Sequence, residues 1–306
     1  VQKRAFIFPG QGSQFVGMGK DLYQAFPEAK QIFDRANEIM KIDLARICFE
    51  GPEEELKQTR ITQPAIFVHS MVVFELLKRK GFLPEAAAGH SLGEYSALVA
   101  AEALSFENGL KLVKIRGELM QQAGQKNPGT MAAVIGLDFD QVQEVCTEVK
   151  NTGIVCTANF NSPGQVVISG EIPAVRAAMD HAREKGARKV LELVVSGAFH
   201  SPLMEHAQEG LAKALREVEV TDAKIPVYTN VQATACKDKN ETRELLFKQL
   251  THPVRWVEII QNMVADGFTQ FYEIGPGKVL SGLVKRIAGD AVCQAIGDMP
   301  GISVIG

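Results

Sequence analysis

The chain is poor in cysteine, with five among 306 residues. Cys48, Cys146, Cys156, Cys236 and Cys293 are odd in number and far apart, and no C-x-x-C pair occurs. Neither a disulfide framework nor a zinc site is expected, and a reducing, cytoplasmic setting fits best. Charge of one sign is also lacking: 33 Lys and Arg stand against 36 Asp and Glu, a net of −3. Proteins that track phosphate backbones concentrate a basic excess, so a nucleic-acid partner is not expected. No apolar run approaches the roughly 20 residues that span a bilayer, so no membrane span is expected. The opening Val1-Gln2-Lys3-Arg4-Ala5-Phe6-Ile7-Phe8 reads as a short strand running into Pro9-Gly10. It lacks the charged head and cleavage site of a signal peptide, so export is not expected. Internal repeats and low-complexity tracts are absent as well.

Apolar residues are plentiful, at 46% of the 306 positions, enough for a sizeable core. At roughly 150 residues per domain the length predicts two structural units, or one large α/β unit carrying an insertion. Short apolar strand-like runs alternate with helical patterns. A strand at Ala5–Phe8 precedes helices at Phe26–Met40 and Gln63–Lys80, and a strand at Ala86–Gly89 leads into a helix over Leu92–Ala103. The alternation returns late, with a strand at Pro226–Thr229, helices at Glu241–Gln249 and Val257–Asp266, and strands at Gln270–Ile274 and Val292–Ile296. This is the rhythm of a mostly parallel sheet with helices on both faces.

The middle reads differently. The pattern predicts a strand (Met131–Leu137), a helix (Asp140–Lys150), two strands (Ile154–Asn159 and Gln165–Ser169), a helix (Pro173–Lys185) and a strand (Lys189–Val195). Val142, Val145 and Val149 mark one helical face; Val175, Met179 and Ala182 mark the other. The central strands are joined by Asn161-Ser162-Pro163-Gly164, a strong turn signal. The result is a β-α-β-β-α-β, ferredoxin-like unit. Turn-forming Asn127-Pro128-Gly129 and Ser196-Gly197 bracket it, so residues 128–196 read as a subdomain inserted into an α/β core of residues 1–127 and 197–306.

The sharpest local feature is Gly89-His90-Ser91-Leu92-Gly93, between the strand at Ala86–Gly89 and a helical run. A serine centred in G-x-S-x-G at such a junction sits on a strained elbow, with glycines where side chains would strike neighbouring backbone. Ser91 would then stand at a helix N-terminus, where free N–H groups and the helix dipole favour negative charge on a substrate oxygen. The bland alternative is a tight turn with a capping serine. A serine nucleophile needs a base, and six histidines are available. His90 adjoins the serine and either points away or lines the site; His69 lies on an apolar helix; His181 and His206 have charged helical surroundings; His252 precedes Pro253. His200, in Ala198-Phe199-His200-Ser201-Pro202, stands at the junction between the two units, where clefts form. The residues alone leave its role open. Hydrolases on this elbow run Ser, then Asp or Glu, then a late His, and no His follows His252, which disfavours an ordinary hydrolase.

Several further motifs occur in a fixed order. They are Pro9-Gly10-Gln11-Gly12-Ser13-Gln14, Thr62-Gln63-Pro64-Ala65, Gly89-His90-Ser91-Leu92-Gly93-Glu94, Arg116-Gly117, Asn159-Phe160-Asn161-Ser162-Pro163-Gly164-Gln165, Gly197-Ala198-Phe199-His200 and Gln249-Leu250-Thr251-His252-Pro253-Val254-Arg255-Trp256. In this order the chain resembles the malonyl-CoA:acyl carrier protein transacylases from end to end. The resemblance implies an α/β-hydrolase-like core with a ferredoxin-like insertion. It implies malonyl transfer from CoA, through Ser91, to the phosphopantetheine thiol of acyl carrier protein, with His200 as the base. It implies an oxyanion hole from the backbone N–H groups of Leu92 and Gln11, and a backbone carbonyl at Gln249 that orients the imidazole, leaving the Gln249 side chain without a task.

Arg116, which the residues alone present as a surface arginine, would grip the malonyl carboxylate through paired hydrogen bonds. Phe199, directly before the histidine, matches the malonyl-selective pattern; otherwise it is a packed aromatic. Gln63 and Asn161 would line the pocket or support its loops. No metal or redox cofactor is implied. An acidic carrier protein would be met by basic residues, with Lys185, Arg188, Lys189, Arg255, Lys285 and Arg286 as candidates. A monomer is the default expectation. The alternatives are an acyltransferase serving a polyketide synthase, a serine thioesterase or hydrolase on the same elbow, and a non-catalytic carrier-binding module.

Overall fold

A computed structural model describes residues 3–305. Its strands are β1 (Lys3–Phe8), β2 (Ala86–Gly89), β3 (Gly129–Ile135), β4 (Val155–Ser162), β5 (Gln165–Glu171), β6 (Lys189–Glu192), β7 (Val227–Tyr228), β8 (Ala235–Cys236), β9 (Phe268–Ile274) and β10 (Val292–Ile296). Helices α1 (Lys20–Ala25), α2 (Pro27–Met40), α3 (Leu44–Glu50), α4 (Glu53–Leu56), α5 (Thr59–Arg79), α6 (Gly93–Ala100) and α7 (Phe106–Lys126) precede β3. Then come α8 (Phe139–Glu148), α9 (Ile172–Glu184), α10 (Glu205–Glu217), α11 (Lys239–Gln249), α12 (Trp256–Ala265), α13 (Val279–Ile287) and α14 (Met299–Ser303). The strand reading at Val1 and Gln2 lies outside the described residues. None of the described helices is long and apolar enough to cross a membrane.

One sheet has the order β10-β9-β1-β2-β7-β8, parallel except for the antiparallel edge pair β7–β8. Its centre is apolar on both faces, as a sheet covered on both sides must be. In β1, Phe6 and Phe8 enter a core with α2, α5, α7 and α10, while Ala5 and Ile7 enter another with α12 and α13. The other sheet has the order β4-β5-β3-β6, every neighbour antiparallel, and buries one face against α8 and α9 through Val142, Val145, Val175 and Ala178.

Several ends differ from the sequence reading. The turn between β4 and β5 is Pro163-Gly164 alone; Asn161 and Ser162 remain in β4. Proline pre-sets one turn position and Gly164, at φ 69, supplies the left-handed one. Helix α6 stops at Ala100 rather than Ala103, because Glu102 turns left-handed (φ 57) and Ala103 N–H closes back on Leu98 O at 2.9 Å. β6 ends at Glu192 rather than Val195, with one more bond to β3 from Leu193 N–H to Met131 O (2.8 Å), and Leu193 and Val195 line a cavity.

Two contacts position the site. The first is backbone pairing between the sheets' territories: Phe160 N–H donates to Val254 O (2.9 Å) and Val254 N–H donates to Ala158 O (2.8 Å). This ties the edge strand β4 to the segment entering α12. The second is the bend from β2 into α6, where backbone packs directly on backbone. A Cβ at Gly89 would stand 1.8 Å from the Gly93 carbonyl carbon, and one at Gly93 would stand 2.0 Å from Phe8 O. Neither obstacle is a side chain that could swing aside. Gly93→Ala should therefore destabilise the fold by at least the ~1–3 kcal/mol typical of overpacking; a thermal or denaturant melt matching wild type would contradict this tight junction.

Candidate active site

Ser91 sits at the apex of that bend with φ 52, and the clamp that holds it there comes from far along the chain. Asn230, fully buried after β7, accepts the Ser91 N–H through Oδ1 (2.7 Å) and donates Nδ2–H to Gly89 O (2.6 Å). One side chain thus grips both sides of the elbow. The Ser91 Oγ lies 2.8 Å from His200 Nε2. His200 also has a positive φ, 58, in a loop closed by Ser201 Oγ on Ala198 O (2.6 Å).

The other imidazole nitrogen settles the tautomer. His200 Nδ1 lies 2.8 Å from Gln249 O and 3.1 Å from His252 O. Carbonyl oxygens only accept, so Nδ1 carries the hydrogen and Nε2 presents a lone pair to the serine hydroxyl. Burial, and next the Arg116 charge, push the imidazole down to about 3, against the pull of the two carbonyls. The ring is neutral at physiological pH and can take a proton from Ser91.

Arg116 is buried (1% exposed), not at the surface. It lies on the same stripe of α7 as Leu112, Met120 and Ala123. Its Nη1 donates to Gln63 Oε1 (2.7 Å), and its Nη2 donates to Ser91 Oγ (3.0 Å) and Gln249 Oε1 (2.9 Å). The guanidinium lies 5.6 Å from the Tyr95 ring centre, within cation–π range. No carboxylate of the described residues lies within 4.0 Å of it, and its Nε has no partner. A buried cation with unclaimed donors and no anion is equipped to hold the carboxylate of a ligand.

The Gln249 side chain, for which the sequence implied no task, is part of the site. Besides accepting from Arg116, it donates through Nε2 to Ser91 O (3.0 Å) and Glu94 Oε2 (2.7 Å). Glu94, 2% exposed, also accepts the Asn230 N–H (3.1 Å). Burial pushes its carboxyl up to about 7, opposed by these hydrogen bonds and by Arg116. Glu94 lies in the serine motif itself, three residues past the serine, where the helical spacing could have flagged it; Asn230 carried no local signal.

These groups enclose a cavity of about 120 Å³ lined by Gln11, Gln63, His90, Ser91, Leu92, Arg116 and His200, with apolar walls from Met120, Met131, Leu193, Val195 and Phe199. Its volume suits a few heavy atoms rather than a drug-sized ligand, which needs roughly 300 Å³ or more. The backbone N–H groups of Leu92 and Gln11 make no hydrogen bond within the described residues. Phe199 both lines the cavity and packs in the larger core. Asn159 reaches the lining, whereas Asn161 does not: its Oδ1 holds His90 Nε2 at 2.8 Å. His90 lines the cavity, its ring 5.5 Å from that of Trp256.

The remaining candidates fall outside. His69 is buried on α5 with neither ring nitrogen hydrogen-bonded. A larger cavity of about 740 Å³ between α2, α5 and α7 shares no residue with the site and holds no serine–histidine pair. Of the basic candidates, Lys185 is ion-paired with Glu144 (2.8 Å) and Glu148 (2.9 Å), and Arg255 with Glu258. Burial pushes the Cys156 thiol, beside the site, up to about 11, so it offers little thiolate. Among the described residues no three His, Cys, Asp or Glu side chains converge where a metal ion could sit.

With this geometry in view, comparison with known proteins is decisive at the family level. A family model described as an acyl transferase domain matches residues 5–300. The chain belongs to the acyl transferase family. The malonyl CoA-acyl carrier protein transacylase of Bacillus subtilis is 48% identical over 94% of this acyl transferase and 91% of its own length. That of Haemophilus influenzae is 42% identical over 100% and 98%. An acyl carrier protein S-malonyltransferase structure from Vibrio cholerae superposes with a TM-score of 0.96 at 42% identity, covering 99% of this chain and 100% of its own. A malonyl-transacylase in complex with a type II polyketide acyl-carrier protein superposes with a TM-score of 0.95 at 42% identity, covering 99% and 98%.

The imidazole geometry of this acyl transferase makes a spectroscopic prediction. At about pH 5.5, well below the unperturbed imidazole value, the 15N resonances of His200 should be those of a neutral Nδ1–H ring. A cationic ring at that pH would contradict the arrangement.

Proposed function

We propose that the protein is a malonyl-CoA:acyl carrier protein transacylase, moving malonyl in two steps through an ester on Ser91. The observation that carries this reading is the buried Arg116 guanidinium, which lacks an internal carboxylate and touches the reactive hydroxyl. Acetyl donors have nothing to offer it; a malonyl group has a carboxylate.

In the first step Ser91 Oγ attacks the thioester carbonyl while its proton passes to His200 Nε2. The Leu92 and Gln11 N–H groups hold the oxyanion. Collapse of the tetrahedral adduct breaks the carbon–sulfur bond, and the departing CoA thiolate takes the proton back from His200. The carbonyls of Gln249 and His252 hold the imidazole in place of a third, acidic residue. Once Ser91 is esterified its oxygen is a poorer acceptor, which frees the Arg116 Nη2 donor for the malonyl carboxylate. In the second step the phosphopantetheine thiol of acyl carrier protein gives its proton to His200 and attacks the ester carbonyl; collapse of the adduct breaks the carbon–oxygen bond to Ser91, whose Oγ takes the proton back from His200. No metal or redox cofactor enters either step.

Phe199 and the apolar wall limit water, as a transferase that must not hydrolyse its intermediate requires. Phe199 also fills the space that an α-methyl would need, a discrimination worth roughly 1–3 kcal/mol. Gln63 seats Arg116, and Asn161 seats His90. We read the molecule as an α/β-hydrolase-like core of residues 1–127 and 197–306 with a ferredoxin-like insertion at 128–196, acting as a cytoplasmic monomer. The strand order β4-β5-β3-β6 supports the insertion reading. Fatty-acid synthesis is the primary setting. Service to a polyketide carrier is the second reading, favoured by the likeness to a transacylase seen with such a carrier.

Labelled malonyl-CoA should acylate wild type and leave Ser91→Ala unlabelled. The trapped acyl-enzyme should pass its label to added carrier protein; decay to free malonate at a rate indifferent to carrier would establish a hydrolase instead. Arg116→Ala should lose roughly 2–5 kcal/mol in kcat/KM for malonyl-CoA, as when a buried charge pair loses one member. It should shift preference toward acetyl-CoA, and an unchanged donor ratio would refute the carboxylate role. Presenting fatty-acid and polyketide carriers side by side separates the two settings.

A further inference from the structure

Two buried ionisable groups of opposite sign stand on either side of one amide. Arg116 is 1% exposed and Glu94 2% exposed, yet they are not within 4.0 Å of each other. The Gln249 side chain lies between them, its Oε1 on Arg116 Nη2 (2.9 Å) and its Nε2 on Glu94 Oε2 (2.7 Å). Its orientation is forced: the donor end faces two acceptors, Glu94 and Ser91 O (3.0 Å), and the acceptor end faces a guanidinium. Glu94 is tethered on its other side by the Asn230 N–H (3.1 Å), and Asn230 in turn grips the elbow. In a low-dielectric interior opposite charges this near would ordinarily close into a salt bridge. Such a bridge would occupy the donors that a ligand carboxylate needs.

We propose that the Gln249 side chain is a specificity-determining positioning residue, a neutral spacer that keeps Glu94 off Arg116 so that the guanidinium stays open to the substrate's carboxylate. Glu94 then balances the buried cation at one remove, without competing at its donors. Both the backbone and the side chain of Gln249 thus serve the site, the carbonyl holding His200 and the amide holding the carboxylate socket open. This inference rests on the reading of Arg116 as the malonyl-binding group.

The test is steady-state kinetics with malonyl-CoA and acetyl-CoA for wild type, Gln249→Ala, Gln249→Glu, Glu94→Gln and Gln249→Ala/Glu94→Gln. Both Gln249 variants retain the backbone carbonyl. Without the spacer Glu94 closes on Arg116, and Gln249→Ala should raise KM for malonyl-CoA roughly tenfold relative to KM for acetyl-CoA. Gln249→Glu places a carboxylate directly on Arg116 and should raise the malonyl KM at least as far. Adding Glu94→Gln to Gln249→Ala removes the competitor and should recover much of the malonyl KM.

A merely structural role predicts equal losses for both donors and a double variant worse than either single. That pattern, or an unchanged malonyl KM in Gln249→Ala and Gln249→Glu, would overturn the proposal. Arg116→Ala separates the two levels. If it leaves the donor ratio unchanged, the reading of Arg116 fails; if it shifts the ratio while the Gln249 series does not behave as described, only the spacer fails.

Discussion

A guanidinium out of water with no anion beside it is among the costlier things a fold can hold. Arg116 is such a group, and much of the site answers to it. Gln63 and Gln249 accept its hydrogen bonds, Tyr95 offers a ring face, and Ser91 Oγ takes a third bond. None of these partners carries a formal charge, so the cation is solvated without being neutralised. Its field reaches the histidine as well, adding to burial in holding the imidazole neutral. A serine hydroxyl, a neutral imidazole and a buried cation are thereby set within one hydrogen-bond network.

The backbone is arranged to hold that network taut. Ser91 and His200 are two of five non-glycine residues with positive φ among those described. Such conformations persist only where the surroundings over-determine them. For Ser91 the determinants are the bare glycines on either side and the double grip of Asn230. For His200 they are the Ser201 turn and the two carbonyls on Nδ1. The strain therefore falls on the two residues whose side chains must meet, and it is met in part by distant contacts, 139 residues away for Asn230 on Ser91 and 49 and 52 for the carbonyls on His200.

Much of this is legible in the amino-acid sequence. The alternation of strands and helices anticipates both sheets, because apolar periodicity records which faces are buried, and the G-x-S-x-G elbow singles out Ser91 because its glycines are there for backbone contact. His200 was only one of several histidines until the family resemblance ranked it. Local composition presents Arg116 as a surface residue, although Leu112, Met120 and Ala123 repeat at helical spacing and their stripe runs through it. The Gln249 side chain is a similar case, since Leu245 and Leu246 mark its face of α11 as buried. Asn230 could not be found this way: its partners, Ser91 and Gly89, are brought to it only by the pairing of β2 with β7.

The bridge between β4 and Val254 has a consequence for how this molecule can change. Val254 lies two residues beyond His252, whose carbonyl holds the imidazole, and five beyond Gln249. The antiparallel sheet therefore does more than wall the cavity: its edge strand is stitched to the segment whose carbonyls hold His200. A change in the position of β4 would therefore alter the alignment of His200 along with the shape of the pocket. The shape of the cavity and the orientation of the imidazole are in this sense coupled through the stitch at Val254.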